Sequence, residues 1–368
     1  MAEITDVAVI GAGPAGLAVG ACLRKAGLNF VILEKDRQIA PSWRRHYDRL
    51  HLHTVKRYSS LPYLDFPKSY PRYIPKHLVI EYLEAYAERF DLKPRLGDEV
   101  RSVRPEAAGW LIDSAASSIR APFVVIASGY NAEPTIPSFP GMEKFKGQVI
   151  HSFSYVNAKP FAGQSVLVAG MGNTGAEIAL DLSEGGANPA ISVRNGVHIV
   201  PRELFGVPIQ IVALVATGML PGWLNDFIFP PILDFALGKP SKHGITRPKQ
   251  GLLRQIANAG KIPVIDVGTL KKISEGKIHI APGIGEVLED GVVFRDGSRK
   301  RFDAIILATG YRPNYQSFLK FSSASKDARE LGLFFAGYHN VVTGLLREIS
   351  KESVRIASYI SGRLARGG

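Results

Sequence analysis

Asp6-Val-Ala-Val-Ile10, followed at once by Gly11-Ala-Gly13-Pro14-Ala15-Gly16, is the stretch that decides how this chain folds. A short apolar run of this kind suits a parallel strand buried on both faces. The three glycines open a helix-period run that continues through Leu23, and a second apolar run, Phe30 to Leu33, ends at Glu34. A glycine turn between strand and helix lets the backbone approach a pyrophosphate closely, while the unpaired N–H groups of the helix start face the phosphates. The first glycine makes the turn, the second admits the ligand and the third lets helix and strand pack. Glu34 stands where an acid accepts hydrogen bonds from ribose hydroxyls.

The same grammar returns downstream. Ser165-Val-Leu-Val-Ala169 runs into Gly170-Met-Gly172-Asn173-Thr174-Gly175, a helix through Leu182 and a strand Ala190 to Val193. Here the residue after the second strand is Arg194. An acid would repel a 2′-phosphate, whereas a guanidinium binds it, so the reading is NADPH rather than NADH. The alternative is a surface arginine at a strand end. Each unit closes with a further strand, Phe123 to Gly129 and Ala304 to Gly310. The expected fold is therefore α/β, with two doubly wound Rossmann-type dinucleotide-binding domains, FAD in the first and NADPH in the second.

Pro134, Pro137 and Pro140 suit a connector between the two. A final amphipathic helix, about Arg347 to Leu364, cannot bury its apolar face alone and is expected to return to the first domain. The expected division is 1–156 with 313–368 for FAD, and 157–312, inserted within it, for NADPH. An apolar stretch at about 205–237 interrupts the second domain.

The 368 residues favour two domains over one core. The single cysteine, Cys22, excludes an internal disulfide and any cysteine-based metal cluster, and no metal site is expected. Lys and Arg outnumber Asp and Glu by 45 to 33, a net +12. No run of basic residues or nucleic-acid module accompanies that excess, so anionic cofactors and an acidic substrate are the expected partners, not nucleic acid. The N-terminus reads directly into a strand without a signal-peptide pattern, giving a cytoplasmic expectation. Val207 to Leu224 is uncharged but broken by Pro208, Gly218, Pro221 and Gly222. Cover over an apolar site, or peripheral membrane contact, is expected there rather than a spanning helix.

Between the glycine turns lies Phe145-Lys-Gly147-Gln-Val-Ile-His151-Ser-Phe-Ser-Tyr155, which matches FxGxxxHxxx(Y/F). With that fingerprint the chain resembles the flavin-containing monooxygenases, and Tyr155 separates it from Baeyer–Villiger enzymes, which carry tryptophan there. It is similar to the YUCCA branch, the plant indole-3-pyruvate monooxygenases and their bacterial relatives. The similarity rests on Tyr47-Asp-Arg-Leu-His-Leu-His53, Ser192-Val-Arg-Asn-Gly-Val-His198, Arg247-Pro-Lys249-Gln-Gly251, Pro263 to Thr269 and Phe302 to Tyr311. Gly129-Tyr130-Asn131 departs from the branch's Gly-Glu-Asn, and Thr343 to Ile349 looks more like bacterial relatives.

The resemblance implies reduction of FAD by NADPH and a C4a-(hydro)peroxyflavin formed with O2. It also implies oxidative decarboxylation of an aromatic 2-oxo acid, indole-3-pyruvate to indole-3-acetate, as in auxin biosynthesis. The candidate catalytic residues are His53, Asn131 and Tyr155, with His151 and Tyr155 also holding the linker. The cofactor-binding set begins with Gly11, Gly13, Pro14, Ala15, Gly16, Glu34, Lys35, Trp43, His53, Ser128 and Gly129. It continues with Gly170, Gly172, Asn173, Thr174, Gly175, Arg194, Thr309, Gly310 and Tyr311. Arg247 and Lys249 are candidates for a substrate carboxylate. Two other activities stay open: oxygenation of an amine or sulfide, and flavin reduction for an external acceptor. Oligomeric state is undetermined.

Overall fold

Val7–Ile10 is wholly buried, as its four apolar residues require, and it pairs in parallel with Phe30–Glu34 on one side and Phe123–Ile126 on the other. In the computed structural model, Leu333–Phe335 and Arg95–Leu96 complete this five-stranded parallel sheet at its two edges. The structure describes residues 2–219, 222–321, 328–339, 341 and 343–367. Helix Pro14–Lys25 starts with a proline where no intrahelical N–H is needed and ends on Arg24 and Lys25, which complement the helix dipole. Helix Leu345–Gly367 packs against it, so the end of the chain covers the element that follows the first glycine turn.

A second five-stranded parallel sheet is ordered Gln148–His151, Ala304–Leu307, Ser165–Ala169, Asn188–Val193 and His279–Pro282. The strand Gln148–His151 corrects the expected boundary. The expected first unit runs to residue 156, yet this strand forms the edge of the second sheet, beside Ala304–Leu307. Its partner is more than 150 residues away, beyond the reach of any local pattern. The chain crosses between the sheets at Glu133–Pro134 and returns at Tyr311–Arg312, and these two segments pair antiparallel. Ahead of each closing strand lies an antiparallel meander, Val100–Glu106 to Ser118–Ala121 in one half and Ile284–Leu288 to Arg299–Arg301 in the other.

The apolar stretch is divided between helices Ile209–Met219 and Gly222–Leu237, the latter with Pro230 and Pro231 inside it. Leu220 and Pro221, within that stretch, lie outside the described residues. Among the described residues no helix is long and apolar enough to cross a membrane. Phe205, Phe227 and Phe235 are nonetheless exposed on this insertion.

Candidate active site

The three glycines of each turn hold three different positions. A Cβ on Gly11, whose φ is +111°, would sit 2.4 Å from the Ala127 carbonyl oxygen. One on Gly16 would sit 1.8 Å from the Gly11 carbonyl oxygen, so helix and strand pack this closely only with glycine. Gly13 has no atom within 4 Å of that position and faces open space. The second turn repeats the pattern: Gly170 has φ +110°, Gly175 packs on the Gly170 carbonyl at 2.0 Å, and Gly172 is open. One position in each turn is thus left clear for a ligand's phosphates.

A cavity of about 450 Å³ lies beside the first turn. Gly11, Gly13, Pro14, Ala15, Glu34 and Lys35 line it from the turn and the second strand. Trp43, Ser128, Gly129 and Asn131 line it from the other sides, and Asn173 and Thr174 reach it from the second turn. Gly16 contributes packing behind the wall. Ser128 Oγ lies 3.0 Å from Asn314 Oδ1 and 2.9 Å from the Tyr338 hydroxyl, which fixes the loop after the closing strand.

Glu34 is buried, and each of its oxygens accepts a backbone N–H: from Ala12 at 2.7 Å and from Asp36 at 2.9 Å. Burial raises its carboxyl pKa, and those two N–H bonds oppose the shift. The acid therefore braces the glycine turn as well as lining the cavity, and a ribose would share an already engaged carboxylate. Asn173 is used in the same way, donating to the Pro263 carbonyl at 3.1 Å and accepting from Ile265 N–H at 2.7 Å.

Beside the first cavity lies a second of about 400 Å³, walled by Ile209, Val212, Phe229 and Leu233 of the apolar insertion. Arg247 and Lys249 also line it. Arg247 is already paired with Asp234 at 2.5 Å, whereas Lys249 is exposed and has no ion pair among the described residues. His53, Thr54, Ile262 and Leu345 line both cavities, so the two meet there. His53 Nε2 is hydrogen-bonded to Oε1 of Glu177, a buried acid in helix Asn173–Glu184. Gln210, also buried, accepts from the Val55 N–H at 2.9 Å and donates to the Thr343 carbonyl, tying the insertion to the His53 loop.

Next to His53, burial beside Lys76 pushes His46 down to about 4. Burial, reinforced by the Glu177 charge, pushes the Tyr47 hydroxyl well above its ordinary range.

Several expected site residues stand elsewhere. Tyr155 is 1% exposed and lines neither cavity. Its hydroxyl donates to Asp181 at 2.6 Å, its ring stacks on Phe161, and burial raises its pKa. That placement corrects the catalytic expectation, because a phenol enclosed in the second core cannot reach a reacting centre in either cavity. Thr309, Gly310 and Tyr311 build the crossing between the sheets: Thr309 donates to the Thr135 carbonyl at 2.6 Å, and Gly310 accepts from Thr135 N–H at 2.9 Å. Tyr311 packs edge-on against His151, whose pKa burial lowers. Arg194 is exposed at the end of its strand, without a hydrogen bond or ion pair among the described residues.

Glu177 and Gln210 escaped the sequence reading. Glu177 left a signal, an acid inside the otherwise apolar run from Gly175 to Leu180. Gln210 left none.

Residues 4–338 match the family model described as flavin-binding monooxygenase-like. An indole-3-pyruvate monooxygenase of Oryza sativa subsp. japonica, YUCCA1, is 42% identical over 86% of this chain and 79% of its own length. YUCCA6 of Arabidopsis thaliana, of the same name, is 40% identical over 98% of this chain and 89% of its own length. Among solved structures, an oxidized steroid monooxygenase bound to NADP superposes with a TM-score of 0.79, at 18% identity over 99% of this chain and 87% of that one. A flavin-containing monooxygenase from Stenotrophomonas maltophilia gives 0.73 at 21% identity, over 98% and 99%.

Proposed function

The chain belongs to the flavin-binding monooxygenase-like family, an NADPH-dependent flavoenzyme using FAD, and we propose that it decarboxylates an aromatic 2-oxo acid of the indole-3-pyruvate type oxidatively. In this reaction R-CH2-CO-COOH, O2, NADPH and a proton give R-CH2-COOH, CO2, NADP+ and water. The ketone carbon keeps one oxygen atom from O2, and the other leaves as water.

One observation carries the reading: the apolar cavity with Arg247 and Lys249 in its wall opens onto the larger cavity at His53. An aromatic ring fits among Ile209, Val212, Phe229 and Leu233, and a carboxylate finds a cation in Lys249. We assign FAD to the larger cavity, where the clear face of Gly13 admits its pyrophosphate and the buried Glu34 stands by its ribose. NADPH is assigned to the second turn, with Gly172 clear for its phosphates and Arg194 for its 2′-phosphate. Bound flavin, once reduced, supplies the oxygen-activating chemistry. The protein holds the substrate against it, limits water with the apolar walls and offers the His53 imidazole at the junction as a proton or hydrogen-bond donor. Asn131, exposed at the cavity edge, is assigned a hydrogen bond to the flavin.

The test is product analysis with FAD, NADPH, O2 and indole-3-pyruvate. Indole-3-acetate and CO2 in step with NADPH consumption are expected. Oxides formed from amines or sulfides, with the oxo acid untouched, would overturn the substrate assignment. Hydrogen peroxide alone would point to a flavin reductase.

A further inference from the structure

We infer that Glu177 is a positioning residue that aims His53 at the junction of the two cavities, an inference that rests on the role proposed above for His53. Glu177 is 3% exposed, and its neighbours in the helix, Ala176, Ile178 and Ala179, are buried with it. A carboxylate there is costly unless hydrogen-bonded, and a helix needs no acid at such a place for its own stability. The oxygen it engages is bound to His53 Nε2, 124 residues away in sequence.

The arrangement sets which imidazole nitrogen carries hydrogen. A carboxylate accepts only, so Nε2 must donate; Nδ1, without a protein partner among the described residues, accepts in the neutral ring and becomes the donor at the junction once the ring has taken up a second proton. In the loop before His53 the Tyr47 hydroxyl is hydrogen-bonded to the same carboxylate and His46 lies close enough to feel its charge, with Arg45, Arg49 and Lys76 around them.

The helix itself links this device to the nucleotide. Asn173 and Thr174, at its start, reach the larger cavity, and Glu177 follows within one turn. Glu177, Asp181 and Glu184 share one helix face. Asp181 holds Tyr155, Glu184 pairs with Arg49, and Glu177 takes both Tyr47 and His53, so the same rigid element grips three side chains of the loop bearing His53. The Glu184 pair is exposed at the surface, whereas the Glu177 carboxylate is buried.

Histidine 15N resonances of FAD-free and FAD-loaded protein test the first part directly. Wild type is expected to carry hydrogen on Nε2 of His53; a hydrogen on Nδ1 alone overturns the inference without any variant. Glu177→Ala is expected to lose that preference and to lower product formed per NADPH about tenfold, with FAD content retained. Glu177→Gln, whose amide oxygen still accepts, should restore both to within about threefold. Glu184→Gln should leave both at wild-type level. A Glu177→Ala protein with unaltered tautomer and coupling refutes the positioning role. His53→Ala separates the two ideas: unchanged coupling there defeats the role of His53 itself, while the resonances still report whether Glu177 sets its tautomer.

Discussion

Arg247 Nη2 lies 2.5 Å from Asp234 Oδ1 in the wall of the apolar cavity. About a quarter of each side chain is exposed, so the guanidinium meets any substrate with its charge already balanced. Lys249, one proline further on, has no such partner among the described residues. Lys249→Ala is therefore expected to raise KM for the 2-oxo acid about tenfold with little change in kcat, the mark of uniform binding lost. Arg247→Ala should lower thermal stability as well, because Asp234 is left without its counter-charge. Steady-state kinetics and melting curves of both variants check this, and an unaltered KM in Lys249→Ala places the carboxylate anchor elsewhere.

The glycines of the first turn separate folding from binding. Gly16→Ala would drive a methyl group into the Gly11 carbonyl, so the variant should fail to fold or melt far below wild type. Gly13→Ala meets no protein atom, and φ there is −79°, which alanine adopts freely. Its FAD-free form should melt like wild type, yet bind FAD at least tenfold more weakly, because the methyl group occupies the phosphate approach. Apoprotein melts and flavin titration decide; normal FAD affinity in Gly13→Ala would move the pyrophosphate away from this turn.

Nucleotide preference turns on one exposed side chain. Arg194→Ala is expected to reduce the NADPH-to-NADH ratio of kcat/KM by tenfold or more, with activity on NADH nearly unchanged. Measuring flavin reduction with each nucleotide in stopped flow gives the ratio. Should it stay at the wild-type value, the 2′-phosphate is held by another residue.

Burial of His46 predicts a pH dependence. Its ordinary value is 6.5, and in the folded protein it falls to about 4. Below about 6.5 the unfolded chain binds a proton that the folded chain refuses, so stability is full above that pH and declines as pH falls toward 4. The loss reaches at most about 3 kcal/mol. Urea titrations of FAD-free protein at pH 7, 6 and 5 should show the decline, and His46→Gln should flatten it. An equal slope in that variant assigns the decline to other groups.

The two strand–turn–helix units were legible in sequence because their determinants are local. Val7 to Ile10 and Ser165 to Ala169 are apolar without interruption, and glycine spacing states where backbone must turn, pack or stay clear. Pro208, Gly218, Pro221 and Gly222 likewise argued against one continuous spanning helix, and the stretch is divided between Ile209–Met219 and Gly222–Leu237. Partnerships between distant segments carried no such mark. Gln148–His151 joins the second sheet, Tyr155 turns into the core toward Asp181, Asp234 neutralises Arg247, and Glu177 meets His53 across the junction of two cavities. Periodicity and turn chemistry act over a few residues, whereas these contacts depend on how two sheets and an insertion pack together. The sequence alone determined where nucleotides can be cradled; only the tertiary structure decided which side chains stand between them.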